Sequence, residues 1–252
     1  MNPPDSPTPR FAAGQANDES LPLSNEEKAP ALPLLSLTGA VLGLALFGWI
    51  AESVTHDQTL RFDASIRQSV HSCADPAVTR VMLALSFLGR EGIIAGSVAG
   101  LLVFWRKRWK RAALWLTFTM LGSLFLEVTL KLVFHRPRPA PFFGSLPHGY
   151  SFPSGHALSS FCYYGIMAGL LATRLHSGCW RILLWLVAAM LVAGIGLSRI
   201  YLGVHYASDV LAGYLAAAVW VSTMLARDRL RVRLAKRSGK SIAGACSPPI
   251  QN

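Results

Sequence analysis

The chain has 252 residues, of which 52% are hydrophobic and 15% are charged, and its mean hydropathy is +0.38. A soluble globular protein of this length carries more charge, so the composition favours a membrane protein. The formal net charge is +11, but the cations form short clusters between long apolar runs. This arrangement favours membrane topology or lipid headgroups over nucleic acid, and we expect no nucleic-acid partner.

The first 30 residues differ from the rest of the chain. They hold two basic and five acidic residues among Pro, Ser and Asn, and they have neither the basic start nor the apolar stretch of a signal peptide. A segment of this composition cannot bury enough apolar surface to fold. We therefore predict a disordered cytoplasmic tail over residues 1–30.

Apolar runs that could cross a membrane recur six times after this tail. A hydrocarbon core of about 30 Å needs about 20 residues of helix. The predicted spans cover residues 32–54, 92–105 with an upstream extension over 81–88, 112–134, 157–175, 182–197 and 210–225. The sequence thus predicts an all-α polytopic protein with a six-helix transmembrane domain over 31–226 and a basic cytoplasmic tail over 227–252.

A segment of mixed polarity, residues 57–80, separates the first two spans. Phe62, Ile66 and Val70 recur in it at the spacing of one helical face. We predict an amphipathic helix that lies on the outer surface and covers the bundle, with no catalytic role.

Three clusters of basic residues fall on one predicted face of the protein. Lys and Arg accumulate in short cytoplasmic loops, so we predict cytoplasmic termini, with the opposite face periplasmic or extracellular, in a bacterial inner (plasma) membrane. Binding of anionic lipid is an alternative role for the last cluster. The clusters are Arg106, Lys107, Arg108, Lys110 and Arg111; Arg174 and Arg181; and Arg227, Arg229, Arg231, Arg233, Lys236, Arg237 and Lys240.

Three polar motifs lie on the predicted outer face, at residues 131–139, 150–156 and 198–209. Phosphoryl transfer spreads negative charge over oxygen atoms, so its catalysis needs positioned cations and N–H donors. Lys131, Arg138 and Arg199 supply three cations. Ser154 and Gly155 precede the fourth span and suit a helix start, where free N–H groups can bind an anion. The motifs together predict a phosphate site.

Two histidines accompany these cations. His205 and Asp209 are four residues apart and can share a helix face, so Asp209 can orient an imidazole that attacks phosphorus. Interface anchoring for Lys131 and Arg138, and solvated loop positions for the histidines, are the simpler alternatives. Arg136 is interpreted as a contact for a headgroup or a second phosphate, and Glu127 as either a buried partner of Lys131 or a catalytic group.

The motifs resemble the three-part signature of the type 2 phosphatidic acid phosphatase family, whose active site is similar to that of vanadium-dependent haloperoxidases. That signature has Lys, six residues and Arg-Pro; then Pro-Ser-Gly-His; then Ser-Arg, five residues, His, three residues and Asp. The matching positions are Lys131, Arg138 and Pro139; Pro153, Ser154, Gly155 and His156; and Ser198, Arg199, His205 and Asp209.

The resemblance implies a membrane lipid phosphatase that needs neither a metal nor another cofactor. His205 would form a phosphohistidine, and His156 would protonate the leaving oxygen and then activate water. We expect a lipid monophosphate or diphosphate as substrate. Undecaprenyl diphosphate is the first choice, because the site is predicted to lie outside the cytoplasm and Arg136 is an additional cation that the signature does not use. Phosphatidate or phosphatidylglycerophosphate is the second choice. Phosphotransfer to a lipid such as lipid A, and a non-catalytic lipid-phosphate transporter or scaffold, are the alternatives.

Overall fold

The computed structural model describes residues 31–144 and 147–245, and within these ranges all regular secondary structure is α-helical. The predicted all-α class is confirmed, whereas the predicted tail over 1–30 lies outside the described residues. The helices of the described ranges are α1 (Ala31–Thr55), α2 (Leu60–His71), α3 (Pro76–Leu88), α4 (Glu91–Arg106), α5 (Lys110–Phe134), α6 (Gly155–Ala172), α7 (Gly178–Tyr201) and α8 (Ala207–Ala245).

Five stretches of the described residues are helical, long and apolar enough to cross a membrane. Helix α6, predicted as the fourth span, is not one of them, so the count of six stays a prediction. Eight of its residues are buried, among them Ser160 and Tyr163, and a helix enclosed by protein need not be apolar on every face. The five stretches are Leu37–Thr55, Pro76–Arg106, Lys110–Phe134, Gly178–Tyr201 and Ala207–Asp228.

Helix α6 lies at the centre of the bundle, where it packs against α5, α7 and α8, while α1 packs along α8. Leu158 and Cys162 of α6 form a core cluster with Ala216 and Ala217 of α8. The outer helices expose large apolar side chains instead, including Trp105 at 84%. A bundle that is apolar on its outer surface is suited to lipid rather than water.

The predicted amphipathic segment is two helical pieces, and the prediction of one helix over 57–80 is wrong. Helix α2 ends at His71, and α3 begins at Pro76. Asp75 ends the connection because its carboxylate accepts a hydrogen bond from the N–H of Ala77 at 2.7 Å and Pro76 occupies the first helical position. Phe62, predicted on the covering face, is 49% exposed.

The second predicted span is likewise divided. Helix α3 ends at Leu88, and α4 begins at Glu91, so Gly89 and Arg90 form a break that we call the α3–α4 junction. Arg90 bonds to both helices, because its N–H donates to the Phe87 carbonyl at 3.2 Å and its carbonyl accepts the N–H of Ile94 at 3.0 Å.

The basic clusters meet at one end of the bundle. The Arg174 guanidinium lies 3.9 Å from the centroid of the Trp109 ring, and Arg111 forms a 2.5 Å ion pair with Asp228 of α8. Helix α8 continues to Ala245, so part of the predicted tail over 227–252 is helical. The opposite end holds the C-termini of α5 and α7 and the N-termini of α6 and α8, which is where the three polar motifs lie.

Candidate active site

His205 lies between α7 and α8, and both of its ring nitrogens face charged groups. Nδ1 is 3.3 Å from Oδ2 of Asp209, and Nε2 is 3.1 Å from Nη1 of Arg138. A guanidinium can only donate, so Nε2 is the acceptor and Nδ1 carries the proton shared with Asp209. The same Asp209 oxygen accepts the N–H of Tyr206 at 2.9 Å. His205 therefore presents the lone pair of Nε2 towards a cation.

The protonation state of His205 follows from its surroundings. The side chain is only 2% exposed. Burial lowers the pKa of His205 to about 4, although the hydrogen bond and the charge of Asp209 act in the opposite direction. The imidazole is therefore neutral at pH 7, which is the form that can act as a nucleophile.

Arg138 is held beside His205 by backbone carbonyls. Its Nε donates to the carbonyl of Gly149 at 3.0 Å, and its Nη1 donates to that of Val204 at 3.1 Å. Burial lowers the pKa of Arg138, while Asp209 raises it. A guanidinium stays protonated in proteins, so Arg138 is a cation at neutral pH.

Arg199, near the end of α7, is 8% exposed and reaches the last turn of α3. One of its amino groups donates to the hydroxyl of Ser86. Its buried Nε has no hydrogen-bond partner among the described residues. A buried donor without a partner costs free energy, so this nitrogen is a candidate contact for a bound anion.

Lys131 and Glu127 form the pair that the sequence left undecided. The Lys131 ammonium lies 2.5 Å from Oε1 of Glu127, and both side chains are partly exposed. Glu127 also lies against Gly155, because a Cβ on that glycine would overlap the carboxylate. The pair is therefore next to the start of α6.

Ser154 is the N-cap residue of α6, so the predicted helix start is confirmed. Its side chain caps the helix by accepting the N–H of Ala157 at 3.5 Å, and its own N–H donates to the Asp209 carbonyl at 2.9 Å. The second of these bonds ties the start of α6 to the first turn of α8. The proposed anion site at the α6 N-terminus is thus attached to the residue that orients His205.

His156 is the second residue of α6 and precedes the predicted fourth span. An ideal Cβ on Gly89 of the α3–α4 junction would lie 3.0 Å from its Cδ2. Burial lowers the pKa of His156 to about 2, and the charge of Arg199 adds to the effect. Lys131 in the last turn of α5, His156 in the first turn of α6 and His205 between α7 and α8 lie at one end of the bundle.

The interpretation of Arg136 as a headgroup contact is wrong. Its guanidinium is 8% exposed, and four hydrogen bonds occupy it. One amino group donates to Oδ1 of Asp209 at 2.6 Å and to the hydroxyl of Ser208 at 2.8 Å; the other donates to Asp63 at 2.8 Å and to Thr59 at 3.2 Å. Burial lowers the pKa of Arg136, but the two carboxylates outweigh it and the net pKa is raised.

Sequence reasoning missed Asp63 and Arg90. Asp63 is fully buried on the same face of α2 as Ile66 and Val70, so an acid on the apolar face of an amphipathic helix was the available signal. Arg90 is exposed in the α3–α4 junction, and its charge lowers the pKa values of Arg138 and His156. A cation that interrupts an apolar span was the signal for Arg90.

Comparison with known proteins gives concordant matches. The sequence model of the PAP2 superfamily matches residues 112–231. Phosphatidylglycerophosphatase B of Bacillus subtilis is 29% identical over 181 residues, which cover 69% of this chain and 87% of that protein. An undecaprenyl-diphosphatase of Sulfolobus acidocaldarius is 30% identical over 172 residues, which cover 66% of this chain and 78% of that protein.

A solved structure shows the same fold. The crystal structure of a transmembrane PAP2 type phosphatidylglycerolphosphate phosphatase from Bacillus subtilis superposes with a TM-score of 0.66 at 26% identity. The match covers 75% of this chain and 94% of that one, so it includes most of the helical bundle.

Proposed function

The chain belongs to the PAP2 superfamily of membrane phosphatases, and we propose that it hydrolyses the phosphate or diphosphate of a lipid through a phosphohistidine at His205. The observation that carries this proposal is the orientation of the His205 ring. Its lone pair at Nε2 faces Arg138, and its other nitrogen faces Asp209. A phosphate bound by Arg138 would therefore lie next to the attacking nitrogen.

Charge complementarity supports the phosphate site. Lys131, Arg138 and Arg199 are cations at one end of the bundle, and the α6 N-terminus at Ser154 and Gly155 adds backbone N–H donors. Lys131 has three donors, so it can hold an oxygen of the phosphate while it keeps its bond to Glu127. Together these groups would stabilise the charge on the transferring phosphoryl group.

The reaction would proceed in two steps. Nε2 of His205 attacks phosphorus, a P–N bond forms, and the bond to the lipid oxygen breaks as His156 donates a proton to that oxygen. Neutral His156 then takes a proton from water, whose oxygen attacks phosphorus and releases phosphate from His205. Asp209 stabilises the positive charge that the His205 ring carries in the intermediate.

His156 must be protonated to act in the first step. Burial and neighbouring cations keep its pKa low in the ligand-free protein. A phosphate group carries negative charge into the same region and offsets Lys131 and Arg199. Substrate binding would therefore raise the pKa of His156, which couples proton uptake to the presence of substrate.

Relatives guide the choice of substrate. We propose undecaprenyl diphosphate first because one relative is an undecaprenyl-diphosphatase that is 30% identical, and phosphatidylglycerophosphate or phosphatidate next because another is a phosphatidylglycerophosphatase. The buried Arg136 no longer supports a diphosphate. The basic clusters at the other end of the bundle support a site on the periplasmic or extracellular face.

The test is phosphate release by the purified protein from these lipids in detergent with EDTA present. We expect release from at least one lipid, and His205→Ala should abolish it. His176→Ala is the matched control because His176 is exposed in the connection between α6 and α7, at the basic end. If the parent and both variants alike released no phosphate from any of the lipids, the proposed phosphatase activity would be rejected.

The same assay separates hydrolysis from transfer. With radiolabelled substrate and lipid A present, hydrolysis delivers the label to free phosphate. Label that accumulates on the second lipid would instead support a phosphotransferase. Lipid binding without any turnover would support a transporter or scaffold.

A further inference from the structure

Helix α2 carries the fully buried carboxylate of Asp63 to the first turn of α8. Oδ1 of Asp63 accepts the backbone N–H of Ser208 at 2.9 Å, and Oδ2 accepts the Ser208 hydroxyl at 2.7 Å. Oδ2 also lies 2.8 Å from an amino group of Arg136. The other amino group of Arg136 bonds to Asp209 at 2.6 Å. A continuous chain of contacts thus runs from α2 to the residue that orients His205.

We infer that Asp63 is a positioning residue for the histidine chemistry, acting through Arg136 and Ser208 to hold Asp209 and to preserve a net negative charge beside His205. The inference rests on the proposed function and goes beyond the sequence signature, because Asp63 lies in none of the three motifs.

Asp63 holds the first turn of α8 in position. Ser208 is in the first turn of α8, where backbone N–H groups have no partner inside the helix. The Asp63 carboxylate satisfies one of them and places negative charge at the positive end of the helix dipole. Since Asp209 is the next residue, a shift of this turn would move its carboxylate relative to the His205 ring.

Asp63 also sets the net charge beside the His205 ring. Asp209 alone would offer one negative charge to the His205 ring, but Arg136 lies against it and would cancel that charge. Asp63 neutralises Arg136, so the three buried groups together carry one net negative charge. A phosphohistidine bonded through Nε2 and protonated at Nδ1 is positive on the ring and needs that charge close by.

Other contacts keep α2 in place without Asp63. Ile66 and Val70 pack against the cluster that contains Ile200. Arg67 donates to the Ala140 carbonyl at 2.6 Å and lies 4.5 Å from the centroid of the Phe142 ring. Asp63→Asn, which conserves shape, therefore removes the charge while these contacts hold the helix.

The test uses the full-length protein in detergent and orthovanadate as the probe, because vanadate adopts the five-coordinate geometry of phosphoryl transfer and binds imidazole. We expect Asp63→Asn to weaken vanadate binding, and to lower kcat, by about tenfold, with KM nearly unchanged. Asp57→Asn is the matched control: Asp57 is exposed with a φ of 56°, a conformation that Asn also accepts.

A double variant distinguishes charge balance from structural support. Asp63→Asn combined with Arg136→Gln again leaves one negative charge, that of Asp209, so binding and kcat should recover relative to Asp63→Asn alone. If Asp63 only supported the structure, vanadate binding and kcat would be at least as low in the double variant as in Asp63→Asn. The melting temperature of each variant identifies any loss that follows from unfolding.

Several results would overturn the inference. These are equal vanadate affinity in Asp63→Asn and Asp57→Asn, no recovery in the double variant, or no vanadate binding by the parent. The variants could instead show the expected order of vanadate affinities while the parent hydrolyses no lipid. That result would contradict the proposed phosphatase activity but would support the role of Asp63.

Discussion

Arg138 donates to the same ring nitrogen of His205 that would attack phosphorus, over 3.1 Å. In the proposed mechanism, the nucleophile and a phosphate-binding cation are therefore in contact before substrate arrives. An incoming phosphate oxygen would take over the donor that now occupies the Nε2 lone pair, so substrate binding would also activate the nucleophile.

Replacing Arg138 with Lys tests this contact. Lys keeps the charge but not the planar set of donors that joins Gly149, Val204 and His205. We expect kcat/KM to fall about 100-fold, as for loss of a donor to a transition-state oxyanion, in initial-rate assays of phosphate release. Arg61→Lys, on an exposed position of α2, should match the parent. Equal kcat/KM for the two variants would contradict the role of Arg138.

The pKa of His205 predicts how stability depends on pH. The folded-state pKa of about 4 lies below the ordinary value of 6.5, so between these values the unfolded chain binds a proton that the folded protein does not. Stability is therefore lost as the pH falls from about 6.5 to about 4. The melting temperature should fall less over this range in His205→Gln than in the parent. If the melting temperatures of the two proteins fell in parallel as the pH fell, the burial of His205 would not contribute to the loss of stability.

Arg90 is expected to contribute to substrate binding. It is exposed, its side chain makes no hydrogen bond or ion pair within the described part of the chain, and its charge acts on His156 and Arg138. Arg90→Gln should raise KM severalfold with little change in kcat, and more for a diphosphate lipid than for a monophosphate lipid. Arg80→Gln, on exposed α3, is the control. An unchanged KM for both lipids would exclude the contact.

Two glycines of α6 provide a matched test of packing at the site. A Cβ at Gly155 would overlap the Glu127 carboxylate, whereas one at Gly165 would meet nothing within 4 Å. Gly155→Ala should lower stability by about 1–3 kcal/mol and reduce kcat by displacing the Lys131 pair. Gly165→Ala should leave kcat unchanged and raise stability by about 0.5–1 kcal/mol. Denaturation in detergent measures stability, and phosphate release measures kcat. Similar stability and kcat for the two variants would show that Gly155 is not needed for close packing.

Sequence patterns predicted the helical class and the contact between His205 and Asp209. Long apolar runs identify membrane helices because the cost of exposing polar backbone to lipid is a local property of each segment. The spacing of His205 and Asp209 predicted their contact because residues four apart on a helix are neighbours. These conclusions need no knowledge of how the helices pack.

Other features depended on packing. The apolar spacing of Phe62, Ile66 and Val70 predicted a covering helix, but the structure places Asp63 inside and leaves Phe62 exposed. Helix α6 was predicted from its apolar residues, and only the structure shows that it packs against α5, α7 and α8 at the centre of the bundle.

The sequence by itself determined that this protein is a helical membrane protein with the phosphatase motifs, because hydropathy and motif spacing are properties of short segments. Only the tertiary structure decided what Arg136 does, since its partner Asp63 is 73 positions away along the chain. A buried charge must be paired where it lies, and the identity of its partner depends on which distant helices share that space.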